Sequence, residues 1–161
     1  MTLYHGSLEI IDKPLILEPS RTMDYGKGFY TTTSQQQAAK WVLRKLSVSN
    51  FPKGYTNSYN FDEAALKILN VLRFENADER WLDFVMQNRT VKTFTHDYDI
   101  VYGPVANDRV YAAFSLYEDG MIDKKGLINE LRTYSLADQI LFHTQKSLNY
   151  LSYIKSEEVS K

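Results

Sequence analysis

Three short stretches of this sequence hold residues whose types and spacing suit chemistry on a bound ligand. The first is Leu3-Tyr4-His5-Gly6-Ser7, a histidine and a glycine on a predicted strand. Gly6 carries no side chain to keep a ligand off the backbone, and a neutral imidazole offers one donor and one acceptor. The second is Gly26-Lys27-Gly28-Phe29-Tyr30, a glycine-punctuated loop that runs into a strand and then a capped helix. Paired glycines suit a tight loop beside a ligand, but the spacing is neither a Walker loop nor a dinucleotide fingerprint, because a strand follows first. The third is Asp138-Gln139-Ile140-Leu141-Phe142-His143, a polar pair that opens an apolar strand. Taken singly, these stretches read better as a core histidine, an ordinary turn and a plain strand start.

Composition removes several other chemistries. The 161 residues include no cysteine, which excludes a disulfide framework, thiolate-bound zinc and a thiol nucleophile. The histidines are three, His5, His96 and His143, so a histidine-only metal site would need all of them; no metal is expected. His143 lies four residues beyond Gln139, about 13 Å along a strand, and is left out of the candidate site; His96 reads as a loop residue. Lysine and arginine total 19 against 20 acids, a net charge of -1, which argues against a protein that grips nucleic acid by bulk charge. The length suits one domain, 1–161, with a core that needs no staple. No basic-then-apolar leader opens the sequence and no apolar run approaches a membrane span, so a cytoplasmic protein with no membrane contact is expected.

The elements that must position these residues alternate irregularly. Strands are expected at Leu3 to Ser7, Phe29 to Thr33, Tyr55 to Phe61, Tyr98 to Tyr102 (closed by Gly103-Pro104) and Gln139 to His143. Ser34 reads as the N-cap of a helix from Gln35 to Leu46, with Ala38, Trp41, Val42 and Lys45 at helical spacing. Further helices are expected from Asn76 to Asn88, Asp108 to Tyr117 and Lys124 to Tyr134. Leu66 to Phe74 suits either strand or helix, and Ser147 to Ile154 is a last apolar stretch. The mixture without strict strand–helix alternation favours α+β over a doubly wound sheet.

In order and together, the three stretches resemble the ADP-ribosyltransferases of the poly(ADP-ribose) polymerase, diphtheria-toxin-like type. The first resembles that family's Leu-x-His-Gly-Ser motif and the second its Gly-Lys-Gly-x-Tyr loop. The family carries a further tyrosine eleven residues on, where this sequence has Trp41. The third resembles its Glu-x-x-x-aromatic strand, with Ser147-Leu148-Asn149-Tyr150-Leu151 in place of Asn-Leu-Lys-Tyr-Leu. The chain is also similar to a bacterial family of unknown function whose members look like ADP-ribosyltransferases, and Asn50 to Tyr134 matches that family alone.

The resemblance implies a split antiparallel β-sandwich with flanking helices and NAD, the co-substrate, held between the sheets. It implies that His5 bonds an adenosine ribose hydroxyl, that Gly6, followed by Ser7, holds the nicotinamide carboxamide, and that Tyr30 and Trp41 sandwich the nicotinamide ring. His5, Tyr30 and Gln139 then form the catalytic set. The strands bearing His5 and Gln139 are expected side by side, with Tyr30 and Trp41 facing them across one cleft. Arg21 and Lys27 suit a pyrophosphate or solvent equally; Arg89 and Asp99 read as structural partners.

Two departures from the family bear on its chemistry. Ala38 replaces a serine near the carboxamide, and Gln139 replaces the catalytic glutamate. An amide accepts a hydrogen bond but carries no charge and is no base. A unit charge lost at about 4 Å in an effective dielectric near 20 is worth roughly 4 kcal/mol. Chain elongation is therefore not expected. Ala137 stands where arginine-specific transferases carry a second carboxylate. The expected function is NAD-dependent mono-ADP-ribosylation of an unknown acceptor: protein, nucleic acid or small molecule. By analogy of fold, the protein would be the toxin of a toxin–antitoxin pair, with an antitoxin as partner. The rival is a catalytically inactive NAD-binding or interaction module on the same fold. An RNA 2'-phosphotransferase would need an arginine beside His5, which is absent.

Overall fold

The computed structural model describes residues 1–19 and 21–161. They build an α+β fold with two sheets, one of three strands and one of four. Strand β1 (Thr2–Ser7) and strand β7 (Leu151–Ser160) flank strand β3 (Lys53–Phe61) in an antiparallel sheet. The second sheet has the order β2 (Phe29–Thr31), β6 (Asp138–Phe142), β5 (Ile100–Pro104), β4 (Val71–Arg73). Its pairings are antiparallel except for β4 with β5. A single bridge, Tyr4 with Thr32, joins the two sheets through β1 and β2.

Period-two alternation explains why β6 is apolar at every position from Ile140 to Phe142. Ile140 and Phe142 face a core that takes Leu3, Phe29, Tyr59 and Phe61 from both sheets. Leu141 faces the opposite way, into a second core with Trp81, Phe114, Leu127 and Leu131. These last residues come from helices α3 (Glu79–Thr90), α4 (Asp108–Glu118) and α5 (Lys124–Leu131). Helix α1 (Gln35–Ser47) packs on the first sheet through Ala38, Val42 and Leu46. Its start is chemically determined: the Ser34 hydroxyl accepts the Gln37 N–H at 3.1 Å.

Several boundaries differ from the sequence expectations. Leu66 to Phe74 contains both alternatives, a one-turn helix α2 (Ala65–Ile68) and then β4. Helix α3 starts after Asp78, whose carboxylate caps the Trp81 N–H, rather than at Asn76. Gly103 and Pro104 lie inside β5 instead of closing it; β4 ends opposite Tyr102, so the missing Pro104 N–H faces no partner strand there. Helix α5 stops at Leu131, and the last apolar stretch splits into α6 (Gln145–Leu148) and β7. Leu15 to Leu17 is irregular, with Leu15 and Leu17 exposed. No helix among the described residues is long and apolar enough to cross a membrane.

Candidate functional site

His5, Gly6, Tyr30, Trp41 and Gln139 come from β1, β2, α1 and β6, and all line one cleft of about 730 Å³. That volume suits a ligand of nucleotide size. Ser7 does not line it; its hydroxyl accepts the Glu9 N–H at 3.2 Å, closing a local turn. The expected neighbouring of the His5 and Gln139 strands is corrected. They belong to different sheets, because β2 takes the edge of β6 and only the Tyr4–Thr32 bridge reaches β1.

His5 Nδ1 lies 2.6 Å from the Tyr30 carbonyl oxygen, and its ring stacks on Phe29 at 4.3 Å. A carbonyl only accepts, so Nδ1 carries the proton and Nε2 is left as an acceptor. An acceptor suits a ribose hydroxyl. Desolvation pushes this imidazole from 6.5 down to about 4, against the Tyr30 hydrogen bond, which favours the charged form. The native state therefore prefers neutral His5. Its contribution to stability is complete above pH 6.5 and is lost as pH falls from there toward about 4. At about 1.4 kcal/mol per unit, roughly 2 kcal/mol is lost by pH 5. Urea unfolding at pH 7.5 and pH 5.0 should show this loss, and His5→Asn should reduce it by about that amount. His96, also lowered chiefly by desolvation, and Asp24, whose carboxyl is raised, are common to both proteins. Equal losses in wild type and variant would contradict the assignment.

Gly6 is needed by the fold itself. A Cβ there would lie 2.4 Å from the Ala38 carbonyl oxygen, so its bare backbone admits helix α1. Gly26 adopts φ +87°, and a Cβ would press on Asn88 and His96. The loop it belongs to is clasped by two histidines. His96 Nε2 meets the Tyr25 carbonyl at 2.8 Å, His143 Nδ1 meets that of Lys27, and the two rings lie 4.1 Å apart. The Tyr30 hydroxyl donates to the Gly26 carbonyl at 2.6 Å and accepts the Tyr25 N–H at 3.0 Å. Its ring is thereby fixed at the cleft wall. Lys27 pairs with Glu18 at 2.8 Å, and Arg21, but not Lys27, is among the residues that line the cleft.

Electrostatics differ along the cleft. Arg21, Arg44 and Lys45 lie 5.8, 5.6 and 5.7 Å from the Trp41 ring centroid. Desolvation lowers the Lys45 ammonium, and Arg21 lowers it further. Arg44 is shared with Asp108 at 2.7 Å. A cationic ring laid on Trp41 would meet these three cations; an anion would relieve them. At the other end, Gln139 is buried, with its amide 3.4 Å from the Pro104 carbonyl. Trp81 Nε1 and the Tyr25 hydroxyl donate to the same oxygen.

The sequence profile of the family described as "Protein of unknown function (DUF3990)" matches residues 1–153. The chain belongs to that family. No curated protein and no solved structure matches. Every cleft residue named here lies within the part of the chain that this DUF3990 family describes.

Sequence reasoning missed the carboxylates of the cleft. Asp138 binds the Thr33 N–H and hydroxyl and the Tyr102 hydroxyl, pinning the start of β6 to the turn before α1. Asp24 is buried and accepts the Tyr111 hydroxyl at 2.9 Å. Nothing local marks Asp24, because Tyr111 is 87 residues away. Asp99 is structural, as expected: it accepts from the Asn70 N–H and the Thr144 hydroxyl and pairs with Lys146. A second, more open depression lies between α3 and α5, where Lys124 pairs with Glu79 and Asp83.

Proposed function

We propose that the protein is a NAD-dependent mono-ADP-ribosyltransferase with an ADP-ribosyltransferase-like fold. The observation that carries this reading is the convergence of His5, Tyr30, Trp41 and Gln139, from four separate elements, on one cleft of nucleotide size. His5 Nε2 accepts a ribose hydroxyl, and Tyr30 forms the wall against which the nicotinamide packs. The cations around Trp41 take the pyrophosphate, the anionic part of the dinucleotide. Cleavage sends the bonding electron pair out with neutral nicotinamide and leaves positive charge on the ribose, which the cleft need only hold and steady. The acceptor is a protein, a nucleic acid or a small molecule, and by analogy the biological setting is a toxin–antitoxin pair. The rival is an NAD-binding module without turnover. The neutral amide at Gln139 is the observation in its favour.

Two measurements test this together. NAD at ten times its Kd should stabilise the folded protein by about 1.4 kcal/mol, raising Tm by roughly 3–5 °C. With labelled NAD and a cell lysate, nicotinamide should appear above the uncatalysed rate and label should enter an acceptor. No Tm shift at millimolar NAD overturns the whole reading. A shift without nicotinamide release leaves the binding module.

A further inference from the structure

We propose that Asp24 supplies the catalytic carboxylate that position 139 lacks, reaching the nicotinamide ribose from the glycine loop instead of from strand β6. The inference rests on the NAD reading above. Asp24 and Gln139 both line the cleft and both are buried. Gln139 lies close enough to favour the charged form of Asp24.

The structure does not use Asp24 as it uses Asp138 and Asp99. Asp138 and Asp99 are each held by several donors that tie elements together. Among the described residues, Asp24 has no ion-pair partner. An unpaired buried carboxyl is costly, so a fold keeps one where chemistry needs it. Tyr111 fixes its orientation through the 2.9 Å hydrogen bond. Arg89 stacks over the Tyr111 ring at 4.5 Å, with one guanidinium nitrogen buried and without a hydrogen-bond partner among the described residues. Arg89 and Arg21 lend positive potential without closing a salt bridge. Burial raises the carboxyl, while Tyr111, Arg89, Gln139 and Arg21 pull it back.

The step balances without a further reactant. The ribose C1'–nitrogen bond breaks and its electron pair leaves with nicotinamide. The Asp24 carboxylate accepts a ribose hydroxyl and lies against the developing oxocarbenium. The acceptor's oxygen or nitrogen then bonds to C1', and its proton passes to Asp24 and on to water. Gln139 orients the same hydroxyl through its amide.

Asp24→Asn is close in shape and removes the charge. NAD should still raise Tm in this variant, while nicotinamide release falls by about 100-fold or more. Gln139→Glu introduced into Asp24→Asn returns a carboxylate from the strand side and should recover at least about tenfold of that loss. Wild-type release by Asp24→Asn overturns the inference while the transferase reading stands. Wild-type protein that binds NAD without releasing nicotinamide overturns it and leaves the binding module; no NAD binding takes down both. Should Asp24→Asn lose its cooperative melt, Tyr111→Phe stands in. It keeps the carboxyl but frees its orientation, and release should fall about tenfold with the NAD-induced Tm shift retained. Unchanged release there counts against Asp24.

Discussion

Trp81→Ala should cost about 5 kcal/mol and leave little folded protein at room temperature. Trp81 is fully buried in the core beneath the second sheet, and truncating a buried tryptophan costs about 3–5 kcal/mol. Its Nε1 also donates to the Tyr25 hydroxyl at 2.9 Å and to the Pro104 carbonyl at 3.2 Å, so two buried acceptors lose a donor. The sum approaches the whole stability of an ordinary domain, about 5–15 kcal/mol. Trp81→Phe keeps most of the volume and should cost about half as much. Urea midpoints ordered wild type, Phe, Ala are the expected result; equal midpoints would show that the indole is not a structural anchor. The effect reaches the site, because the Gln139 amide rests on the same Pro104 oxygen.

Gly6→Ala should lower the stability of the ligand-free protein by about 3 kcal/mol, or roughly 6–12 °C in Tm. The added methyl meets the Ala38 carbonyl at 2.4 Å and Val42 at 3.0 Å. The Val42 side chain has room to turn, but a helix carbonyl moves only if α1 lifts from β1. That lift would uncover Ala38, Val42 and Leu46. A thermal melt without NAD decides the matter. An unchanged Tm with lost NAD binding would mean that Gly6 serves the ligand alone.

Gly6 also marks the limit of what the sequence discloses. The motif around it is legible, and so are Ser34, whose cap depends on a residue three positions away, and the apolar run of β6. Local rules govern these features. The reason for Gly6 is the approach of a helix carbonyl 32 residues further on, which no local pattern encodes. The same applies to the histidine clasp on the glycine loop, whose partners stand 71 and 116 residues apart in sequence. Asp24 sits inside a stretch that attracts attention for its glycines, yet its burial depends on Tyr111 from α4. The adjacency of β2 and β6, which displaces β1 from beside Gln139, likewise follows from tertiary pairing alone.

The strand registers set the order of assembly. Strand β3 pairs its residues 53–61 with 151–160, and β2 pairs Phe29–Thr31 with Phe142–Ile140. A chain emerging from the ribosome holds His5 and Trp41 long before it holds Gln139 and β7. Helices α1 and α3 to α5 close through nearby contacts, but each sheet waits for a long loop to be closed before pairing repays that entropy. Until then β1 and β3 stand as a two-stranded ribbon with an open flank, the kind of edge on which nascent chains aggregate. The cleft is thus a late product of folding, and a partly synthesised chain does not yet have it.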